Sequence, residues 1–550
     1  MSSTANKKSK KNSIADASAP NYGFRYQSEL VGLAFLFLSL IGVRYHEPWR
    51  DELQAFLLGR ESHSLSELLN NIRYEGHPPL WHLILFIQSH VIDSITLTQF
   101  IHILIATLTV YVFNKYFTLD YKLKILASFS YFLFYEFNLI ARCYGLGILI
   151  FFSCVALYTN VVYRKQDQHV KMHHFITLGL LLILLSLTSV MGLIMTISML
   201  CLIVTDTYIL YQTKTLSPAR IRGLLIITLC SMISISSSIY FIKSEPDNSY
   251  PVSYTKSLTM DGVRFAVSKV FTNYFPILPN KDHNYWNNHV FVNDEQTIGF
   301  YLGSILLLLM LFFFLSHSRV TLFFLSGTIA LMAFCYFTNM RPYRYSGHLF
   351  IFLISSFSLV EFFKKEKTII NFQIPAFVNA LAQIVFTASL VCNLYASCIA
   401  YYKDIKYPFS NFPEAGEYVI NSKLDNYAIM GSSDFIVSPL TYFTHKPIHL
   451  PESKRDQRFM IWDGSRRNAI DFNDIISELN LEVTKHDTVV LILSTPLTYI
   501  GPDKKTYAFQ EDDINGTQIH MKFINNINSI NIVNDENYYF YFANKKNNIK

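Results

Sequence analysis

The feature of this sequence that most constrains its fold is a series of long apolar segments between positions 28 and 401. A helix that crosses a bilayer needs about 20 mostly apolar residues. Only 16% of the 550 residues are charged, whereas soluble chains carry about a quarter. The candidate segments are 28–44, 96–114, 124–139, 144–162, 174–190, 192–211, 223–242, 297–316, 320–338, 346–363 and 373–401. They predict a mainly α-helical, polytopic membrane protein.

The loops between these segments predict which side of the membrane each end faces. Short loops rich in Lys and Arg stay in the cytoplasm. All the basic loops lie on the cytoplasmic side if the N-terminus is cytoplasmic and the apolar stretch 79–94 lies on the outer surface as an amphipathic element. About 11 transmembrane helices then remain. The basic loops contain Lys115/Lys122/Lys124, Arg164/Lys165/Lys171, Lys214/Arg220/Arg222, Arg319 and Lys364/Lys365/Lys367.

This topology divides the chain into three parts. The predicted parts are a cytoplasmic tail (1–27), a transmembrane domain (28–401) with outer loops 45–95 and 243–296, and a soluble extracytoplasmic α/β domain (402–550). In the last part, hydrophobic periodicity predicts helices at 414–422 and 470–481 and strands at 427–430 and 488–493. The Asn-, Ile-, Lys- and Phe-rich composition favours a bacterial inner membrane over the endoplasmic reticulum.

Two adjacent carboxylates follow the first apolar segment, in Trp49-Arg50-Asp51-Glu52. Carboxylates so close to an apolar boundary are costly unless they are paired or used. Asp51 and Glu52 are expected in the first turn of a helix, where the helix dipole favours anions. Helix capping together with an ion pair to Arg50 explains them as well as catalysis does.

A second motif in the same outer loop is Gly76-His77-Pro78-Pro79-Leu80-Trp81. Gly76 and the two prolines predict a fixed turn, with Pro79 suited to the start of the helix that follows. His77 is then held at the membrane rim. A lone histidine is more often structural than catalytic.

Arginines at the outer ends of later segments oppose the positive-inside trend. Arg142 interrupts two apolar segments, and Arg341, Arg344 and His348 cluster before another. Such arginines can snorkel to lipid headgroups. Their planar guanidinium groups also suit bidentate contact with phosphate. The second cluster favours a phosphate-bearing ligand over snorkelling.

Together these residues give the outer face the groups that a reaction with an anionic leaving group needs. A carboxylate can accept the proton of an attacking hydroxyl. Arginines can stabilise the charge that develops on a departing phosphate. Because the site lies at the membrane surface, a lipid-linked phosphate is the favoured ligand.

At these motifs the chain resembles the GT-C superfamily of polytopic membrane glycosyltransferases. It is most similar to the bacterial relatives of protein O-mannosyltransferases and of lipid A aminoarabinose transferases. The resemblance covers about residues 28–365. The motifs that carry it are Trp49-Arg50-Asp51-Glu52, His77-Pro78-Pro79-Leu80-Trp81, Arg142-Cys143-Tyr144 and the Arg341–His348 cluster.

The resemblance implies transfer of a hexosyl or pentosyl group from a polyprenyl-phosphate donor to a glycan, lipid or protein acceptor, usually with inversion, on the extracytoplasmic face. Carried over, Asp51 and Glu52 are the catalytic carboxylates; Arg142, Arg341 and Arg344 contact the donor phosphate; His77, His348 and Tyr144 support them. Some members use a divalent cation, but this sequence has no clear ligand set, so no metal is assigned.

Two other classes of function also fit the sequence. A transporter or lipid flippase explains the spans and the arginines, but it predicts polar sites near the bilayer midplane, whereas here the charges gather at one face. A non-catalytic envelope assembly factor would use the outer domain for binding. Nucleic-acid binding is not expected, because the basic excess lies in short loops between apolar segments.

Overall fold

The protein is described by a computed structural model that covers residues 26–163, 170–250, 257–280, 283–291, 296–364, 374–500 and 506–546. Nearly all of the predicted cytoplasmic tail (1–27) therefore lies outside the described residues. The same holds for Arg164, Lys165, Lys365 and Lys367, four of the basic residues that were used to predict topology.

Helices dominate the chain from Gln27 to Lys406. Eight described helices are long and apolar enough to cross a membrane, which agrees with the predicted polytopic architecture. The α-helices are α1 (Gln27–Val43), α2 (Arg50–Arg60), α3 (Leu65–Asn71), α4 (Leu80–Val91), α5 (Ile95–Tyr116), α6 (Tyr121–Ser128), α7 (Cys143–Leu157), α8 (Met172–Ser186), α9 (Val190–Gln212), α10 (Pro218–Ile242), α11 (Met260–Tyr274), α12 (Gln296–Phe314), α13 (Ser318–Thr338), α14 (Tyr343–Ser346), α15 (His348–Phe363) and α16 (Ala376–Lys406). Short 3-10 or π segments are Ile72–Tyr74, Tyr131–Glu136 and Tyr158–Tyr163.

Three of the predicted spans are shorter or broken. Segments 28–44 and 174–190 form α1 and α8, with 17 and 15 residues. Segment 124–139 is split, because the Ser130 hydroxyl accepts a hydrogen bond from the Leu133 backbone N–H (3.4 Å) and begins a separate π-helical segment. The prediction of about 11 spans therefore stays a prediction.

The stretch 79–94 forms α4, whose 12 residues are too few to cross a bilayer. It packs closely on α2. A Cβ atom at Gly59 of α2 would lie 2.9 Å from the Phe86 backbone nitrogen of α4. The absence of a side chain at Gly59 thus lets the two helices of loop 45–95 touch. This contact fixes the C-terminal end of α2.

The C-terminal part is an α/β domain, as predicted. Its seven-stranded sheet has the order β3-β2-β1-β4-β9-β8-β7. β1 runs parallel to β2 and β4, and the other neighbours are antiparallel. A separate pair is β5-β6. The elements are α17 (Phe412–Asn421), β1 (Ala428–Ser432), α18 (Asp434–Val437), α19 (Thr441–Thr444), β2 (Ile448–Leu450), β3 (Arg455–Gln457), α20 (Phe472–His486), β4 (Thr488–Leu493), β5 (Thr498–Ile500), β6 (Thr506–Ala508), β7 (Glu511–Asp513), β8 (Ile519–Ile527) and β9 (Tyr538–Lys545), with 3-10 turns at Leu424–Asn426 and Ser438–Leu440.

All four elements that the periodicity of this part predicts are present, as α17, β1, α20 and β4. The hydrophobic core of the domain includes three residues of loop 45–95, namely Leu53, Phe56 and Ile95. Leu53 and Phe56 of α2 are fully buried in the cluster that contains Phe412 and Leu440. Helix α2 therefore belongs to both parts of the molecule, and this positions the first carboxylate motif between them.

Candidate active site

The site is built around the first turn of α2. Trp49 occupies the N-cap position, and the Glu52 carboxylate accepts a hydrogen bond from its backbone N–H (3.1 Å). Glu52 is 2% exposed, and its other oxygen accepts a bond from the Ala141 backbone N–H (2.6 Å). Because consecutive helix residues point about 100° apart, Asp51 faces a different side.

Asp51 lies between the two arginines that the sequence singled out. One carboxylate oxygen, Oδ2, is 3.3 Å from Arg142 Nη1 and 3.2 Å from Arg344 Nη2. The side chain of Asp51 is 28% exposed, and those of Arg142 and Arg344 are 12% and 13% exposed. The three groups come from positions far apart in the chain and share one partly open face.

Neighbouring backbone and aromatic groups fix both arginines. Arg142 is the N-cap residue of α7, and its Nη1 also donates to the Asp51 carbonyl oxygen (2.5 Å). The Arg344 guanidinium lies 5.2 Å from the ring centroid of Trp49 and 5.1 Å from that of Tyr345. Both guanidinium groups are thus held in place beside Asp51.

The charges of this cluster do not balance. Burial alone would raise the pKa of Asp51, but the charges of Arg142 and Arg344 outweigh it and hold that pKa below its ordinary value. Asp51 is therefore ionised at neutral pH and supplies one negative charge to two guanidinium groups. The surplus of positive charge at a partly open face suits an anionic ligand.

Glu75 joins the site, although the sequence analysis assigned it no role. Gln54, one turn after Asp51, donates from Nε2 to Glu75 Oε1 (2.9 Å). Burial raises the pKa of Glu75 to about 7, with a contribution from the charge of Asp51. The sequence could have indicated Glu75 by its position, which is two residues before His77 of the second motif. Glu75 is a carboxyl group that exchanges its proton near neutral pH.

His77 follows a turn of the predicted kind, since Gly76 has a positive φ of +64° and α4 starts just after Pro79. Burial and the charge of Arg142 lower the pKa of His77 to about 3, so the imidazole is neutral at physiological pH. Its Nδ1 is buried without a hydrogen-bond partner. The structure thus places a neutral imidazole near Asp51 and Arg142.

Three other predicted site residues lie apart from the Asp51 carboxylate. Arg341 is exposed, and its guanidinium makes no ion pair with a carboxylate in the described part of the chain. Tyr144 and His348 are 2% and 1% exposed and pack on each other, with ring centroids 5.8 Å apart. Tyr144 also packs on Tyr345, the residue beside Arg344. The roles assigned to these three residues stay predictions.

The C-terminal domain contacts the residue next to Asp51, which the sequence did not predict. The Arg50 guanidinium donates to both carboxylate oxygens of Asp535 (2.6 and 3.0 Å). The Arg50 backbone N–H donates to Glu536 (3.1 Å). Asp535 and Glu536 lie between β8 and β9. The first turn of α2 is therefore held from the side of the C-terminal domain as well.

A metal site does not emerge from these residues. Within the described ranges, no group of three or more His, Cys, Asp or Glu side chains could hold a metal ion. Asp51 is surrounded by arginines rather than by further ligands. The divalent cation that the family resemblance leaves open thus has no ligand set in this part of the chain.

Comparisons of the whole chain with known proteins give distant structural similarities. No protein-family model and no curated protein sequence matches this chain. Among solved structures, ArnT from Cupriavidus metallidurans in the apo state has a TM-score of 0.47 at 10% identity, over 86% of this chain and 95% of that chain. The same protein bound to undecaprenyl phosphate has a TM-score of 0.46 at 10% identity, over 88% and 98%.

An archaeal oligosaccharyltransferase, AglB from Archaeoglobus fulgidus in complex with an inhibitory peptide and a dolichol-phosphate, has a TM-score of 0.39 at 11% identity, over 88% of this chain and 75% of that chain. These similarities are too distant to carry an argument about chemistry. The function proposed for this chain therefore rests on its own residues.

Proposed function

We propose that this chain is a membrane glycosyltransferase that moves a sugar from a polyprenyl-phosphate donor to a hydroxyl group of an acceptor. The observation that carries the proposal is the Asp51 carboxylate shared by Arg142 and Arg344. The reaction would take place at the extracytoplasmic face of a bacterial inner membrane, with the C-terminal domain on that side. The acceptor class, whether glycan, lipid or protein, is left open.

In this proposal Arg142 and Arg344 bind the donor phosphate. A sugar phosphodiester carries one negative charge, and the polyprenyl phosphate that leaves carries up to two. Guanidinium groups already fixed at the site stabilise this added charge without rearranging in the transition state.

Asp51 acts as the proton acceptor. The acceptor oxygen attacks the anomeric carbon, its proton goes to Asp51, and the bond from that carbon to the phosphate oxygen breaks with its electron pair on phosphate. A single displacement of this kind inverts the anomeric configuration. Because phosphate competes with Asp51 for the two arginines, donor binding would raise the pKa of Asp51 and make it a better base.

The contacts of Glu52 support a positioning role in place of the catalytic role implied by the resemblance. Its two oxygens accept bonds from the backbone N–H groups of Trp49 and Ala141. These two residues directly precede Arg50 and Arg142. Glu52 therefore ties the segment that carries Asp51 to the segment that carries Arg142, and it sets the distance between base and phosphate contact.

The experiment that tests the proposal measures binding of undecaprenyl phosphate to the full chain in phospholipid nanodiscs. Losing a charge-assisted contact costs about 1.5–3 kcal/mol, so Arg344→Ala should weaken binding by about 10- to 100-fold. Arg264→Ala is the matched control, because Arg264 is a 43% exposed arginine paired with Asp261. Phosphatidylglycerol serves as the control lipid, and it should not compete.

Equal affinity of wild type and Arg344→Ala for undecaprenyl phosphate would overturn the phosphate role. Arg341→Ala in the same assay decides whether this exposed arginine also contacts the donor. A wild-type chain that moves polyprenyl phosphate between leaflets, and shows no sugar transfer with a lipid-linked donor, would support the lipid flippase instead.

A further inference from the structure

We propose that the C-terminal domain supplies an aromatic subsite for the acceptor, formed by Trp462 together with Tyr250, and that the acceptor group it binds is a sugar ring. This inference rests on the proposed function and deepens it, since it selects a carbohydrate acceptor from the three classes left open. Trp462 lies in the loop after β3, and Tyr250 lies in loop 243–296, between α10 and α11.

The Trp462 ring is held in a fixed orientation. The Arg466 guanidinium carbon lies 4.2 Å from the ring centroid and covers one of its faces. Arg466 in turn donates to both carboxylate oxygens of Asp434 (2.6 and 2.8 Å), and both of these side chains are buried. Trp462 itself is half-buried. A rigid ring with part of its surface open presents a preorganised contact.

Tyr250 completes an aromatic corner. Its ring meets that of Trp462 edge to face, with centroids 4.7 Å apart at 81°. The Ser249 backbone N–H donates to the Trp462 carbonyl oxygen (2.8 Å), which fixes the two segments together. Tyr250 is 43% exposed. Its hydroxyl is a hydrogen-bonding group beside an apolar ring face, the combination that a sugar needs.

The loop that carries Trp462 is joined to the site by side-chain bonds. Gln54 donates to the Met460 carbonyl oxygen (2.8 Å) and accepts from the Met460 N–H (3.2 Å). The same amide donates to Glu75 at the site. Tyr250 also lies within electrostatic range of Asp51 and Arg344. Gln54 of α2 therefore bonds the loop of Trp462 to Glu75, one turn from Asp51.

The chemistry of the corner indicates a carbohydrate on the acceptor side. The C–H faces of a pyranose ring stack on aromatic rings, while its hydroxyls bond to groups such as the Tyr250 hydroxyl. The donor must keep its lipid chain among the apolar helices, with its phosphate at Arg142 and Arg344. Trp462 belongs to the α/β domain and not to a membrane helix, so it faces a group that enters from the aqueous side.

The test is saturation-transfer NMR on the full chain in phospholipid nanodiscs, which avoids sugar-based detergents. The probes are the methyl glycosides of glucose, galactose, mannose and N-acetylglucosamine. At least one should receive saturation at its ring C–H protons. Trp462→Ala should weaken its binding by about 3- to 10-fold, the size of a lost aromatic contact. Trp462→Phe, which keeps a ring over Arg466, should retain part of the binding.

Phe472→Ala is the matched control, because Phe472 is a 46% exposed aromatic residue on α20 of the same domain. It should bind the glycoside as wild type does. Saturation unchanged in Trp462→Ala, or absent for all four glycosides in wild type, overturns the subsite. Displacement of the glycoside by undecaprenyl phosphate would overturn its assignment to the acceptor. Arg344→Ala should keep glycoside binding, so this inference and the proposed function fail in different assays.

Discussion

Two carboxylate–arginine clusters in the helical region differ in charge balance and in access to solvent. In the first, Asp51 contacts two arginines, and all three side chains are between 12% and 28% exposed. In the second, Asp206 of α9 accepts from Arg319 Nε (2.9 Å) and from the Tyr158 hydroxyl (2.6 Å). There the ionised side chains are only 4% and 6% exposed.

The difference separates a site from a structural contact. Among the described residues, Asp206 pairs with Arg319 and both side chains are buried, since a buried ion pair must be well bonded to offset its desolvation. The Asp51 cluster keeps a surplus cation and an open face, which a purely structural pair does not need. Arg319, which the sequence analysis placed in a cytoplasmic loop, is buried in this second cluster.

The largest expected effect is on catalysis at the first cluster. Asp51→Asn removes the proposed base and should lower sugar transfer by about 10²- to 10⁴-fold, as measured with a lipid-linked donor in nanodiscs. Binding of undecaprenyl phosphate should be retained or become tighter, because the competing carboxylate is gone. Asp261→Asn, at an exposed carboxylate, is the control. Full transfer activity in Asp51→Asn would refute its role as base.

A substitution in the second cluster should lower the stability of the fold and leave catalysis unchanged. Asp206→Asn removes the carboxylate charge that Arg319 Nε contacts, and breaking a buried pair costs about 3–5 kcal/mol. The measurement is the unfolding temperature together with the transfer rate per folded molecule. That rate should stay near wild type. A normal unfolding temperature with lost transfer would contradict the contrast between the two clusters, since it would give Asp206 a functional role.

The smallest effect is a pH dependence from Glu75. Its pKa is raised from 4.5 to about 7 in the folded protein, so between these values the folded state holds a proton that the unfolded state releases. The contribution of Glu75 to the free energy of unfolding is therefore fully present below pH 4.5, and it is lost as the pH rises through 7. Glu75→Gln removes this decline. Between pH 5 and 8 the unfolding temperature of wild type should fall more than that of Glu75→Gln. The same fall in both proteins would contradict a raised pKa of Glu75.

Much of the architecture could be predicted from the sequence, because apolar segments of sufficient length must cross a bilayer and short periodic segments must pair or pack. The location of Asp51, Arg142 and Arg344 at one face also followed, since each lies just outside an apolar segment on the predicted outer side. The split of segment 124–139 did not follow, because a side-chain cap at Ser130 breaks a continuous apolar run, and hydropathy does not register this.

Only the tertiary structure decided which of two residues close together in the sequence contacts the site. Asp51 and Glu52 are adjacent, yet one contacts the arginines and the other accepts two backbone bonds in the interior. Arg344 reaches Asp51, whereas Arg341 is exposed. Side-chain direction on a short helix depends on where that helix starts and what packs against it, and contacts between distant segments fix both.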